Sequence, residues 1–231
     1  MANLTKLSEY TSEIRSTIHD DAASHYMISS DSLYYSFIRK AASEFSRKWP
    51  RRNSVDFSAV SQQYDYLLTT YLPNWVNGFS WIKSVEYPQG EQSAILYKAD
   101  RFCIYNNTHL RFLDGTPSDT STIRVVYFSP HVINASSASV PERFEYSVAL
   151  YAAALALESL AAKYAKSEGV NPDIEVVSYN SKSDNYRRLA KSYKDAAIAE
   201  WGEGDFEAMG QHAVWNWYDS AYGDYSEYRE Q

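Results

Sequence analysis

Apolar residues recur in alternating steps of four and three along residues 140–166, VPERFEYSVALYAAALALESLAAKYAK. Tyr146, Leu150, Ala153, Leu157, Leu160 and Tyr164 fall on one helical face, and Phe144, Val148, Tyr151 and Leu155 form a second stripe with the same steps. Two stripes predict a helix covered on more than one side. The alanines between them favour helix and let neighbours approach closely. Ser139 is placed to cap the start, and Pro141 suits the first turn, where its missing N–H does no harm. Glu142 and Glu145 complement the helix dipole there. Lys163 and Lys166 suit the last turn, and Gly169 with Pro172 marks the stop. This stretch reads as the central helix of a bundle.

Three further helices follow from weaker patterns. Residues 4–19 place Leu4, Leu7, Ile14 and Ile18 on one face, with Tyr10 or Thr11 between them, and Asp20 and Asp21 end the segment. Residues 31–48 present Leu33, Phe37, Ile38, Ala41, Ala42 and Phe45, with Arg47 and Lys48 at the end and Pro50 as the stop. Residues 182–200 present Tyr186, Leu189, Tyr193, Ala196 and Ala197.

Between residues 55 and 133 the helical period fades. Residues 64–70 and 81–87 read as strands, and 92–105 as one or two shorter ones. Residues 110–113 and 123–128 flank DGTPSDTS, whose Asp114-Gly115 pair favours a hairpin connection. The expected fold is therefore α+β and mainly α: a helical bundle with a small antiparallel β-sheet insert and an extended C-terminal arm. The expected divisions are 1–54 for the N-terminal helices, 55–133 for the β-rich insert, 134–200 for the central and last helices, and 201–231 for the arm.

Charge changes the picture at the C-terminus. The net charge is −7, and residues 200–231 hold eight acids against Arg229 alone, so the rest of the chain is balanced. A balanced body exerts no global pull on nucleic acid. The arm adds Trp201, Phe206, Trp215, Trp217, Tyr218, Tyr222, Tyr225 and Tyr228 to its acids. Solvated tails are poor in aromatics, so this one reads as a docking arm whose rings enter pockets on a partner; a segment packed on itself is the plainer alternative.

Candidate chemistry is sparse. No glycine-rich phosphate loop, HExxH or GxSxG motif occurs, and the five histidines are scattered. Cys103 is the only cysteine, so neither an internal disulfide nor a thiolate zinc cluster can form. His19, Asp20, Asp21 and His25 could form a weak metal site, although a helix-ending loop accounts for them as well. Arg47, Lys48, Arg51 and Arg52 surround Trp49 and could contact phosphate or a partner, or else form a helix end and a solvated loop. The start of the chain is polar, and no run of about 18 apolar residues is apparent, so neither a signal peptide nor a membrane span is expected. No enzymatic activity and no cofactor are expected.

The order of elements resembles a family. A short helix ending in His19-Asp20 leads to SSDSLYYSFIRKAASEFSRK; a strand-rich insert follows, with WIKSVEYP and HLRFLDGTPSDTSTIRVVYFSP; then come VPERFEYSVALYAAALALESL and a last helix around NYRRLAKSYKDAA. Over residues 4–200 this is similar to the head-to-tail connector proteins of tailed bacteriophages, also called adaptor, neck or head-completion proteins. The resemblance implies a structural virion protein at the neck, made in the host cytoplasm. It implies a ring, a dodecamer by the family's habit, that sits between the portal protein and the tail or next neck protein and passes genomic DNA through its lumen as cargo. It gives the C-terminal segment the task of docking on the portal. On the same reading Tyr146, Leu150, Leu157, Leu160 and Tyr164 serve packing within and between subunits. The alternatives are another tail or baseplate protein of the virion, or a nucleic-acid-binding factor using Arg47, Lys48, Arg51 and Arg52.

Overall fold

The computed structural model describes residues 4–20, 27–28, 30–89, 95–97, 102–113, 121–166 and 176–202, with backbone alone for 95–97 and 176–181. In chain order its elements are α1 (Leu7–Thr17), α2 (Asp31–Lys48), β1 (Arg51–Ser58), β2 (Asp65–Leu67), α3 (Leu68–Tyr71), β3 (Trp81–Tyr87), β4 (Ile95–Tyr97), β5 (Phe102–Tyr105), β6 (His109–Phe112), β7 (Thr122–Ser129), α4 (Glu142–Lys166) and α5 (Val176–Trp201). The fold is mixed α+β with small antiparallel sheets. The described residues fall into two compact units, one of 4–48 with 131–202 and one of 49–130.

In the helical unit, α1, α2 and α5 all pack on α4. Phe144, Val148, Leu150, Leu157 and Leu160 are buried, as are Ala149, Ala152, Ala153, Ala154, Ala156 and Ala161. α5 meets this alanine surface with small residues of its own, Ser183, Ala190 and Ala197, which recur every two turns and are buried. The Ser183 hydroxyl donates to the Ala161 carbonyl at 3.0 Å. By length and composition α4 is apolar enough to cross a membrane, which corrects the expectation that no such run exists. Within this unit most of its apolar side chains are covered, and Tyr146 is exposed.

Polar groups set the ends of the helices. At the start of α1 the Glu9 carboxylate turns back to accept the Thr5 and Lys6 N–H groups at 2.7 and 3.2 Å. His19, at φ 56°, ends the same helix in the left-handed region. Ser139 does not act as the expected cap of α4: its hydroxyl accepts the Val132 N–H at 2.9 Å instead. The chain leaves this unit after α2 and re-enters it at His131, whose N–H donates to the buried Ser46 hydroxyl at 2.8 Å.

The β unit differs from expectation in three ways. Its first strand begins at Arg51, so the division expected after residue 54 cuts through β1. The strand expected over 64–70 stops at Leu67, where the chain closes a single helical turn with Leu72 N–H on Leu68 O at 2.7 Å. The strands at 109–112 and 122–129 are not a hairpin. β7 lies in a four-stranded sheet ordered β1-β7-β3-β4, and β6 lies in a three-stranded sheet ordered β2-β6-β5. The hairpin partner of β6 is β5, across a turn in which Asn106 and Asn107 both take positive φ, which asparagine tolerates. Ile82, Val85, Ile123, Val125 and Tyr127 of the first sheet share one core with Tyr66, Phe102, Leu110 and Phe112 of the second.

Cross-strand ion pairs reinforce both registers. Arg124 grips Asp56, its direct partner across β7 and β1, at 2.8 and 2.9 Å. Arg111 grips Asp65 across β6 and β2 at 2.6 and 2.7 Å and lies over the Tyr105 ring at 4.0 Å. Bonding to these guanidinium groups holds both carboxyls below the ordinary aspartate range. A depressed carboxyl contributes stability above its unfolded pKa and loses that contribution as pH falls through its folded one. The melting temperature is therefore expected to drop as pH is lowered from about 5 toward 3. Asp56→Asn with Asp65→Asn should flatten that drop, as read by thermal melts at stepped pH; an unchanged profile would show that other carboxylates govern it.

The core makes a second expectation. Leu157 is 1% exposed. Leu157→Asp places an unpaired carboxylate on the buried stripe at a cost of several kcal/mol, against a total stability of about 5–15. Circular dichroism should show loss of the cooperative melt.

Candidate functional site

The four cations around Trp49 lie on two elements. Arg47 and Lys48 end α2 in the helical unit, whereas Arg51 and Arg52 open β1 in the β unit. Arg47 pairs with Glu44 at 3.2 Å within its own helix. The Lys48 ammonium donates to the Gly202 carbonyl at 3.0 Å, a cation placed on the negative end of α5. Arg51 and Arg52 stand opposite Ser129 and Phe128 in the β1–β7 ladder. Arg51 is half-buried and Arg52 exposed.

The packing residues predicted on α4 divide as well. Leu150, Leu157 and Leu160 are buried inside the helical unit, so they pack within the subunit and offer no exposed surface to a second chain. Tyr164 is half-buried and stacks on Tyr186 of α5 at 5.6 Å. Tyr146 is 47% exposed and remains available to a neighbour.

Trp201 is not part of an arm. It is the last residue of α5, 2% exposed, with its ring against Phe45 at 5.5 Å and Tyr151 at 5.1 Å. Its indole N–H donates to the buried Ser147 hydroxyl at 3.0 Å. Tryptophan carries enough apolar surface to close the gap between α2, α4 and the end of α5, and the short alanines around it cannot. Gly202, at φ 64°, then turns the chain off the helix axis. Phe206, Trp215, Trp217, Tyr218, Tyr222, Tyr225 and Tyr228 lie outside the described residues.

Asp20 settles the loop after α1. It is 2% exposed and accepts the Met27 and Ile28 N–H groups at 2.5 and 3.2 Å and the Tyr34 hydroxyl at 2.5 Å, with Arg15 at 3.4 Å. Burial and the bond to Asp20 push the Tyr34 phenol well above the ordinary tyrosine value. This carboxylate is engaged in holding a turn, as the helix-ending reading has it. Asp21 and His25, the other half of the possible metal set, lie outside the described residues. Among the described residues no group of three or more His, Cys, Asp or Glu side chains could hold a metal ion.

The surface that sequence reasoning missed is the outward side of α5. The predicted face held Leu189 and Ala196, yet both are exposed. The covered stripe is Ser183, Ala190, Ala197 and Trp201, with Tyr186 and Tyr193 half-buried beside it. Leu189 at 39% and Ile198 at 41% stand outside that stripe. Arg187, Lys191, Lys194 and Ile198 follow steps of four, three and four along one flank of the covered stripe, and Leu189 stands on the other flank. Lys194 reaches Glu158 of α4 at 2.6 Å, and Arg187 pairs loosely with Asp184 at 3.6 Å. The seven-residue recurrence of Ser183, Ala190 and Ala197 was the available signal, but small residues weigh little in a hydrophobic pattern.

Set against known proteins, the chain matches no family model and no curated protein.

The burial of Trp201 yields a direct test. Trp201→Ala should destabilise the helical unit by about 3–5 kcal/mol, through lost packing and a cavity. Chemical denaturation monitored by helical circular dichroism would measure it. A loss below about 1 kcal/mol would return this residue to the exposed surface.

Proposed function

We propose that this chain is a structural subunit of a ring joining the head of a tailed bacteriophage to its tail, with the helical unit acting as a bundle and residues 203–231 as a docking arm. The observation that carries this reading is the half-covered α5. It runs 26 residues and, over 182–201, buries one narrow stripe and leaves Leu189 and Ile198 exposed beside cations. Leu189 and Ile198, nine residues apart, stand on opposite flanks of that stripe, so the helix offers one apolar residue to a partner on either side. In a head-to-tail contact that partner is a different face of an identical neighbour, and such contacts form a ring when the rotation between copies closes. Tyr146 adds a further exposed ring on α4. The engagement of Lys48 by the Gly202 carbonyl and of Arg47 by Glu44 supports this reading over a nucleic-acid-binding factor. A lumen that passes duplex of any sequence is served by few phosphate contacts, since those dominate affinity.

On this reading the aromatic rings beyond Gly202 enter pockets on the portal, where a well-placed ring contributes about 2 kcal/mol or more. Their carboxylates favour a basic rim and speed the encounter at low salt. Truncation after Gly202 keeps Trp201 and should leave circular dichroism and melting of the remainder nearly unchanged. It should abolish binding to purified portal rings and yield heads that leak DNA or fail to take tails. Retained portal affinity would place the anchor elsewhere, and an unfolded remainder would make the arm part of the core.

A further inference from the structure

We infer that two copies of this chain pair through β1, strand against strand and antiparallel, with Ser54 of one copy facing Ser54 of the other. The pairing goes beyond the ring reading and does not rest on it. β1 ends the four-stranded sheet, and no described strand pairs with its far side. Its backbone direction is fixed by one bond. The Ala59 N–H donates to the Ser121 carbonyl at 2.8 Å, one step past the facing pair Ser58 and Thr122. In an antiparallel ladder that direction alternates from residue to residue. Asn53, Val55 and Phe57 therefore also turn their N–H and C=O groups to β7. Arg52, Ser54, Asp56 and Ser58 turn theirs to the open edge, and all four are exposed.

The other sheet edges are short. β2 and β4 have three residues and β5 has four, whereas β1 has eight. Its register with β7 runs from Arg51 to Ser58 without a bulge, and it holds neither proline nor glycine. Short strands, bulges and prolines are the means by which an edge refuses a further strand, and β1 has none of them.

Its charges select a second copy. Glu86, Arg124 and Asp56 face one another across β3, β7 and β1, so a row of alternating sign ends in a carboxylate at the edge. Arg124 holds that carboxylate from the β7 side. On the edge side a further cation would continue the row. Arg52 of a second copy supplies it, being exposed and without an ion pair among the described residues. Outward backbone groups must meet outward groups, so only even-numbered residues face even-numbered ones. Centred on Ser54, a two-fold pair sets each Arg52 opposite Asp56 of the other copy. Centring on Arg52 or Asp56 sets like charges face to face, which is unfavourable. Centring on Asn53 or Val55 leaves Arg52 opposite a serine. The contact uses the same surface on both copies, as a two-fold interface does.

Sedimentation of the full-length chain should show a concentration-dependent dimer. Arg52→Asp alone and Asp56→Arg alone should each weaken it about tenfold. Mixing the two variants should restore it, because opposite charges then face each other at both positions. Failure of the mixture to associate overturns the pairing. Cross-linking reads the register without touching the ion pairs. Facing Cα atoms in a hydrogen-bonded pair stand about 5.5 Å apart, within disulfide range. Ser54→Cys copies should link to each other on mild oxidation, at about tenfold the yield of Ser58→Cys copies, whose facing position is Pro50. Equal yields overturn the pairing. Ser54→Pro removes only an outward N–H, so melting should change little while the dimer is lost. Dimers that survive this substitution form through another surface and overturn the pairing. A wild-type chain that stays monomeric also overturns it and leaves the edge to a strand of a different protein.

Discussion

The helical unit depends on the burial of α4. An alanine-rich helix offers little apolar area per residue, so its covering must come from neighbours at close range. Ser183, Ala190 and Ala197 on α5 permit that approach because none extends far from its backbone. The same crowding explains the buried polar groups. Glu145 sits 6% exposed at the first turn of α4 and accepts the Leu4 N–H at 2.7 Å. Ser147 receives the Trp201 indole N–H at 3.0 Å. A buried acceptor left empty costs about 1–3 kcal/mol, so each of these bonds ties a chain end to the central helix. Leu4 brings in the N-terminal segment, and Trp201 brings in the end of α5.

The interruption of this unit by strands follows from the same economy of contacts. The chain leaves α2 at Lys48 and returns at His131, and the Ser46 hydroxyl bonds the returning backbone. The His131 ring lies 5.2 Å from Phe45, which also touches Phe144 and Trp201. Phe45 thus holds the exit, the return, the start of α4 and the end of α5 around one ring. Inside the β unit, β1 and β7 pair antiparallel over their full lengths, which brings the first and last strands of the insert side by side. An insertion with neighbouring ends can be accommodated without disturbing the packing around α4.

With Leu150, Leu157 and Leu160 enclosed, the exposed large apolar side chains of the described helices are Leu33 on α2, Tyr146 on α4, and Leu189 and Ile198 on α5. The connector reading draws its support from α5, which carries two of them, and from the acidic, aromatic residues that follow Gly202. Lys48 and Trp201 link the two, because they set where the one ends and the other begins.

Period and composition were enough to mark α2 and α4, whereas α5 begins at Val176, six residues before the start expected at 182. The four–three steps of residues 140–166, the stop at Pro50 and the change of pattern after α2 are local properties, and local backbone preference carries them. The alternation of residues 81–87 and 123–128 marked strands for the same reason. Pairing was different. β6 and β7 are separated by a turn-rich stretch, yet one faces β5 and the other β1 and β3, because strand partners are chosen by which faces share a core. Exposure on α5 was also decided in three dimensions. Leu189 looks like a core residue and Ala190 like a spacer, but only the small side chain fits against the alanines of α4. Trp201 went the same way: its acidic, glycine-flanked surroundings described an arm, and a gap beside Ser147, Phe45 and Tyr151 made it core. Composition along a chain records what a side chain is, and only the packed structure records what stands opposite it.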